Sequence, residues 1–72
     1  MKITGSSAIA HVNFKDDSQV GIIYTSQPKE YMFKATDIDL VTREVTEANA
    51  DKNLSVGKLI NGYRSSGQLT EV

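Results

Sequence analysis

From Ala8 onward the chain alternates, with Ala8, Ala10, Val12 and Phe14 on one side and Ile9, His11, Asn13 and Lys15 on the other. That period of two predicts a half-buried strand. Asp16-Asp17-Ser18-Gln19 interrupts it with turn-forming side chains. Val20-Gly21-Ile22-Ile23-Tyr24-Thr25 is rich in β-branched and aromatic residues and predicts a second strand. Ser26-Gln27-Pro28-Lys29 holds the single proline, whose fixed φ suits a turn. Glu30-Tyr31-Met32-Phe33-Lys34-Ala35 alternates again and groups Tyr31, Phe33 and Ala35. Three antiparallel strands joined by short hairpins follow.

After Ala35 the period lengthens. Ile38, Val41, Val45 and Ala48 are spaced as a helical stripe, with Thr36 or Asp37 placed to cap its start. Asn49-Ala50-Asp51-Lys52-Asn53 ends it. A second helix starts at Ser55 and carries Leu59, Ile60 and Tyr63, weakened by Gly57 and Gly62 at roughly 1 kcal/mol each relative to alanine. The sequence therefore predicts an α+β domain, a three-stranded antiparallel meander covered on one face by two C-terminal helices. The expected organisation is a flexible N-terminal arm over 1–7, a single domain over 8–64 and a mobile tail over 65–72. The helices are expected to seal Val12, Phe14, Ile22, Tyr24, Tyr31 and Phe33, leaving Ile9, His11, Asn13, Ile23, Met32 and Lys34 on an uncovered face.

Composition narrows the chemistry. The chain has 72 residues, no cysteine and one histidine. Disulfides, thiolate nucleophiles and multi-histidine metal centres are thereby excluded, and no cofactor or metal is expected. The absence of cysteine in so small a domain favours a reducing, cytoplasmic setting. No apolar run approaches the roughly 20 residues that span a bilayer, and no signal peptide is visible. Eight basic against nine acidic side chains give a net charge of −1, which disfavours a strongly basic nucleic-acid binder while leaving room for a local patch.

The candidate chemistry is sparse. Ser55-Val56-Gly57-Lys58 ends like a phosphate-binding loop, but Lys52 stands where the first glycine belongs and Leu59 follows the lysine, so a helix cap is the better reading. Asp16-Asp17 and Asp37-Ile38-Asp39 have sufficient reasons as a turn and a helix start and lack the spaced oxygens of a calcium loop. His11 would need a positioned nucleophile and an orienting partner to act as a base, and the expected class is non-enzymatic. Thr70-Glu71-Val72 fits the generic pattern of captured C-termini, which recurs by chance.

The order of elements also resembles the KTSC domain, named for its place at the C-terminus of some lysyl-tRNA synthetases and found as a stand-alone bacterial and phage protein. Ser6-Ser7-Ala8-Ile9, Tyr31-Met32-Phe33, and Ser55-Val56-Gly57 with Asn61 and Tyr63 carry the likeness, which spans about Ser6 to Arg64. Phe33 stands where the family usually has tyrosine, and Ala35-Thr36 where it usually has Val-Pro. The resemblance implies a small β-β-β-α-α module for which RNA binding has been suggested. In size and charge the chain is also similar in character to a small phage protein that binds host RNA polymerase.

Two expectations of partner follow. The first is a regulator that docks on a protein, bacterial RNA polymerase foremost, and inhibits or modulates transcription, antitermination included. Its contacts would be Ile9, His11, Met32 and Lys34 on the uncovered face, since an exposed apolar patch usually marks a partner. The second is an RNA-binding module using a basic rim of Lys29, Lys34, Lys58 and Arg64, to which Lys52 also belongs. In both, the protein is expected to be a monomer away from membranes.

Overall fold

The computed structural model describes residues 1–4, 6–15, 18–51 and 53–72. The sequence readings that fall on Gly5, Asp16, Asp17 and Lys52 lie outside the described residues. Strands β1 (Ile9–Phe14), β2 (Gln19–Tyr24) and β3 (Glu30–Ala35) form the antiparallel meander, followed by helices α1 (Ile38–Ala50) and α2 (Val56–Ser66) and a short strand β4 (Leu69–Glu71). The sheet order is β1-β2-β3-β4. The fold is α+β, as the alternation and the helical stripe dictate.

Both helices start where a capping side chain stands ready. Asp37 Oδ1 accepts from the Leu40 N–H at 3.1 Å, and Ser55 Oγ accepts from the Lys58 N–H at 3.3 Å, each satisfying a donor that a helix start leaves orphaned. The buried stripes are Val41, Val45 and Ala48 on α1 and Val56, Ile60 and Tyr63 on α2. They join Val12, Val20, Ile22 and Phe33 from the sheet in one apolar core. Tyr63 also ties the helices together, its hydroxyl donating to Glu44 Oε1 at 2.6 Å. Burial first, then the Glu44 carboxylate, push the Tyr63 phenol well above its ordinary value.

The chain ends depart from expectation. The helix runs through Ser65 and Ser66 and stops at Gly67, whose φ of 82° is the left-handed cap that glycine adopts without strain. Residues 69–71, read as part of a mobile tail, instead add the fourth strand, with Ala35↔Leu69 and Phe33↔Glu71 in register. Leu69 is 2% exposed and belongs to the core. At the opposite edge the expected arm is also paired: Lys2 bridges His11, and the Ile3 N–H donates to the Ala10 carbonyl at 2.9 Å. Asn49 at the end of α1 fastens this segment, accepting from the Thr4 N–H at 3.0 Å and donating to the Lys2 carbonyl at 3.1 Å.

The phase of β1 also departs from strict alternation. Ile9 pairs with Tyr24 and His11 with Ile23, so two steps on β1 oppose one on β2 and Ala10 is a bulge. The extra residue turns Ile9 to the same side as Val12, and Ile9 is 1% exposed. A strict period of two would have put it on the uncovered face. The core reading survives for Phe33, which is buried, while Tyr24 and Tyr31 are only half-buried. No helix among the described residues is long and apolar enough to cross a membrane.

Candidate nucleic-acid interface

Tyr24 closes β2 and Tyr31 is the second residue of β3. Because Tyr31 pairs with Ile22, Tyr24 lies diagonally beside it on the helix-covered face. Their rings meet edge-to-face with centroids 5.7 Å apart, a favourable arrangement of aromatic quadrupoles. Both rings keep part of their surface in water, at the rim of the core.

Two cations frame the pair. The Arg64 guanidinium lies 5.2 Å from the Phe33 ring centre and donates from Nη1 to the Tyr24 hydroxyl at 3.3 Å. The Lys29 ammonium lies 5.1 Å from the Tyr31 ring centre. Each is within the distance at which a cation is attracted to a ring face. The Tyr31 hydroxyl donates to Gln27 Oε1. Tyr24, Gln27, Tyr31, Phe33, Arg64 and Glu71 line a cleft of about 330 Å³ between α2 and the strand ends.

Tyr24 is shared with a second cleft, also of about 330 Å³, whose walls include Ser6, Ser7, Ser55, Lys58 and Asn61. Lys58, Asn61 and Arg64 are three residues apart along α2 and share one helix face. The clefts and this face make a surface of alternating cations, amides, hydroxyls and rings, running from Lys58 past Tyr24 to Lys29. Ser6, Ser7, Ala8, Ile9, Ser55, Gly57 and Asn61, seven residues of the KTSC resemblance, meet in the second cleft. Tyr63 does not line it and is a core residue.

The basic rim expected from sequence is thus divided. Lys29, Lys58 and Arg64 border the interface. Lys34 pairs with Thr70 on the opposite face of the sheet and cannot act with them. Gln27 and Glu71 escaped the sequence reading; Glu71 becomes visible only once β4 is known to pair with Phe33.

The uncovered face differs from the expected docking patch. Ile9 is withdrawn into the core, and Ile23 and Met32 are half-buried there. Its centre is polar: Asn13 Nδ2 donates to Glu30 Oε2 at 2.8 Å, and Lys15 Nζ lies 3.6 Å from Glu30 Oε1. The amide hydrogen bond from Asn13, with the Lys15 charge, holds the Glu30 carboxyl below its ordinary 4.5 against the opposing effect of burial. Gly21 makes room for this group, since a Cβ there would stand 2.5 Å from Glu30 Oε2. His11 sits half-buried near the β1 edge, its backbone bridged to Lys2.

No family model, curated protein or solved structure matches the chain.

Proposed function

We propose that the protein is a non-enzymatic binding module that holds a short stretch of single-stranded RNA along α2 and the ends of β2 and β3. The observation that carries this reading is the half-exposed Tyr24–Tyr31 pair framed by Arg64 and Lys29. Base–aromatic stacking contributes about 1–3 kcal/mol per base and tolerates any sequence. Cations along the same track neutralise phosphates. The KTSC resemblance supports the same ligand, because seven of its residues line the adjoining cleft. With Lys29, Lys58 and Arg64 as the cations along the track among the described residues, affinity is modest, roughly 1–100 µM at physiological salt, with a log–log salt slope near −2.

Fluorescence anisotropy with a labelled oligouridylate tests this. Binding in that range, weakened about tenfold or more by Tyr31→Ala in a protein that still folds, is the expected result. Absence of salt-sensitive binding at about 100 µM protein, or indifference to Tyr31→Ala, rules it out.

A second reading keeps the uncovered face as a dock for bacterial RNA polymerase, through which the protein would inhibit or modulate transcription. Its support is the adjacency of half-exposed Ile23 and Met32 to His11 and Lys34, together with the near-neutral net charge. Retention of purified polymerase by the immobilised protein, lost with Met32→Asp, would establish it. A flow-through free of retained polymerase at moderate salt would dismiss it.

A further inference from the structure

The cleft beneath Arg64 has more specificity than stacking requires. Its walls are rings, but its edges carry groups of opposite character. Glu71 faces into it from β4, set opposite Phe33 by the strand register. Arg64 enters from α2 above the same ring. The two line one cleft, yet no ion pair joins them among the described residues. An acceptor-only group and a donor-only group therefore border the same slot without satisfying each other.

The remaining hydrogen-bond capacity can be counted. Arg64 has five N–H donors, of which the Tyr24 hydroxyl takes one. Gln27 Oε1 already accepts from the Tyr31 hydroxyl, while its NH₂ group keeps both donors for a ligand. The Glu71 carboxylate presents two oxygens. A planar ligand stacked on one of the two tyrosine rings would thus meet a paired acceptor on one edge and paired donors on another.

Among the RNA bases, guanine alone presents that combination. Its N1–H and N2–H₂ are adjacent donors that a carboxylate accepts together, and its O6 and N7 are adjacent acceptors that a guanidinium grips as a fork. Adenine and cytosine each offer a carboxylate one exocyclic amine beside an acceptor, and uracil one N–H between two acceptors. Unpaired bases are read on these edges when splayed from a single strand. We infer that this cleft is a reading pocket for one unpaired guanine, with Glu71 on N1–H and N2–H₂ and Arg64 on O6 and N7. The inference rests on the RNA-binding reading above and adds base selectivity to it.

The test uses labelled uridine-rich octamers that differ at one central position: guanosine, adenosine, cytidine, uridine or inosine, which lacks the 2-amino group. The guanosine oligomer binds about tenfold tighter than the uridine one, as one bidentate contact supplies. Inosine falls between them. Glu71→Gln brings guanosine and uridine oligomers to equal affinity, while Thr70→Ala, on the other face of the same strand, leaves the preference intact. Equal binding of all five by the natural protein overturns the pocket and leaves the stacking surface standing. A guanine preference that survives Glu71→Gln, or a cytidine oligomer that matches guanosine, also overturns it. Failure of every oligomer to bind overturns both readings.

Discussion

Arg64 Nη1 donates to the Tyr24 hydroxyl at 3.3 Å across 40 positions of sequence, so the last turns of α2 set where the aromatic pair ends. Tyr24→Phe deletes the acceptor and keeps the ring. Because the bond is exposed, the melting temperature should barely move, within about 0.5 kcal/mol of stability. Oligouridylate affinity should fall a few-fold, the effect of about 1 kcal/mol, and Tyr24→Ala should lower it about tenfold or more. Anisotropy and thermal melts on the same two variants check both.

Glu30 gives the acid limb a defined sign. Its folded pKa lies below the ordinary 4.5, so the stabilisation from Asn13 and Lys15 is complete above that value. It is lost as pH falls through the depressed folded value. Glu30→Gln should flatten this part of the curve of urea midpoint against pH between about 6 and about 3. Gly21→Ala should act alike by displacing the carboxylate, and it should be harmless, or mildly stabilising, in a Glu30→Ala background.

Tyr63 governs the alkaline side. Its folded pKa is raised, so stability is intact below the ordinary value of 10.0 and declines as pH rises beyond it, where only the unfolded chain ionises freely. Ultraviolet titration should show a phenol that ionises only with unfolding, absent in Tyr63→Phe. That variant should lose about 1 kcal/mol at neutral pH with the Glu44 hydrogen bond.

Leu69→Ala should cost about 2–3 kcal/mol for a buried leucine, lowering the melting temperature by about 10–20 °C in a domain of this size. A mobile tail would show no change. Calorimetry separates the two.

Deleting Ala10 removes the bulge, and strict alternation then keeps Ile9 on the same face as Val12, two places away. The expected product still folds with Ile9 buried, as Ala10→Ser should, and both keep native near-ultraviolet circular dichroism; an unfolded or molten deletion variant would show that the bulge itself is required.

The helices were legible because Val41, Val45 and Ala48 repeat at the right interval and Asp37 and Ser55 announce their starts. The meander was legible from alternation and turn residues. Ile9 was misread because Ala8, Ala10, Val12 and Phe14 make an unbroken apolar series. That series hides the extra residue, and only pairing with Tyr24 and Ile23 reveals it. β4 is three residues long, too short for a period, although Gly67 just beyond a helical run was a usable stop signal. Of the candidate interface, Lys29, Lys58 and Arg64 were found by charge alone. For Tyr24 and Tyr31 the alternation favours core burial over base stacking, since it reports which face a ring takes and not how far the helices extend over it.

Leu69 and Glu71 are two residues apart on one strand, one anchored in the interior and the other walling the cleft. Local fraying that lifts Leu69 from the core also carries away the acidic wall. If the cleft reads a base as proposed, the fluctuation that loosens the domain blunts that discrimination before it abolishes attachment, and selectivity should fade with warming sooner than binding does.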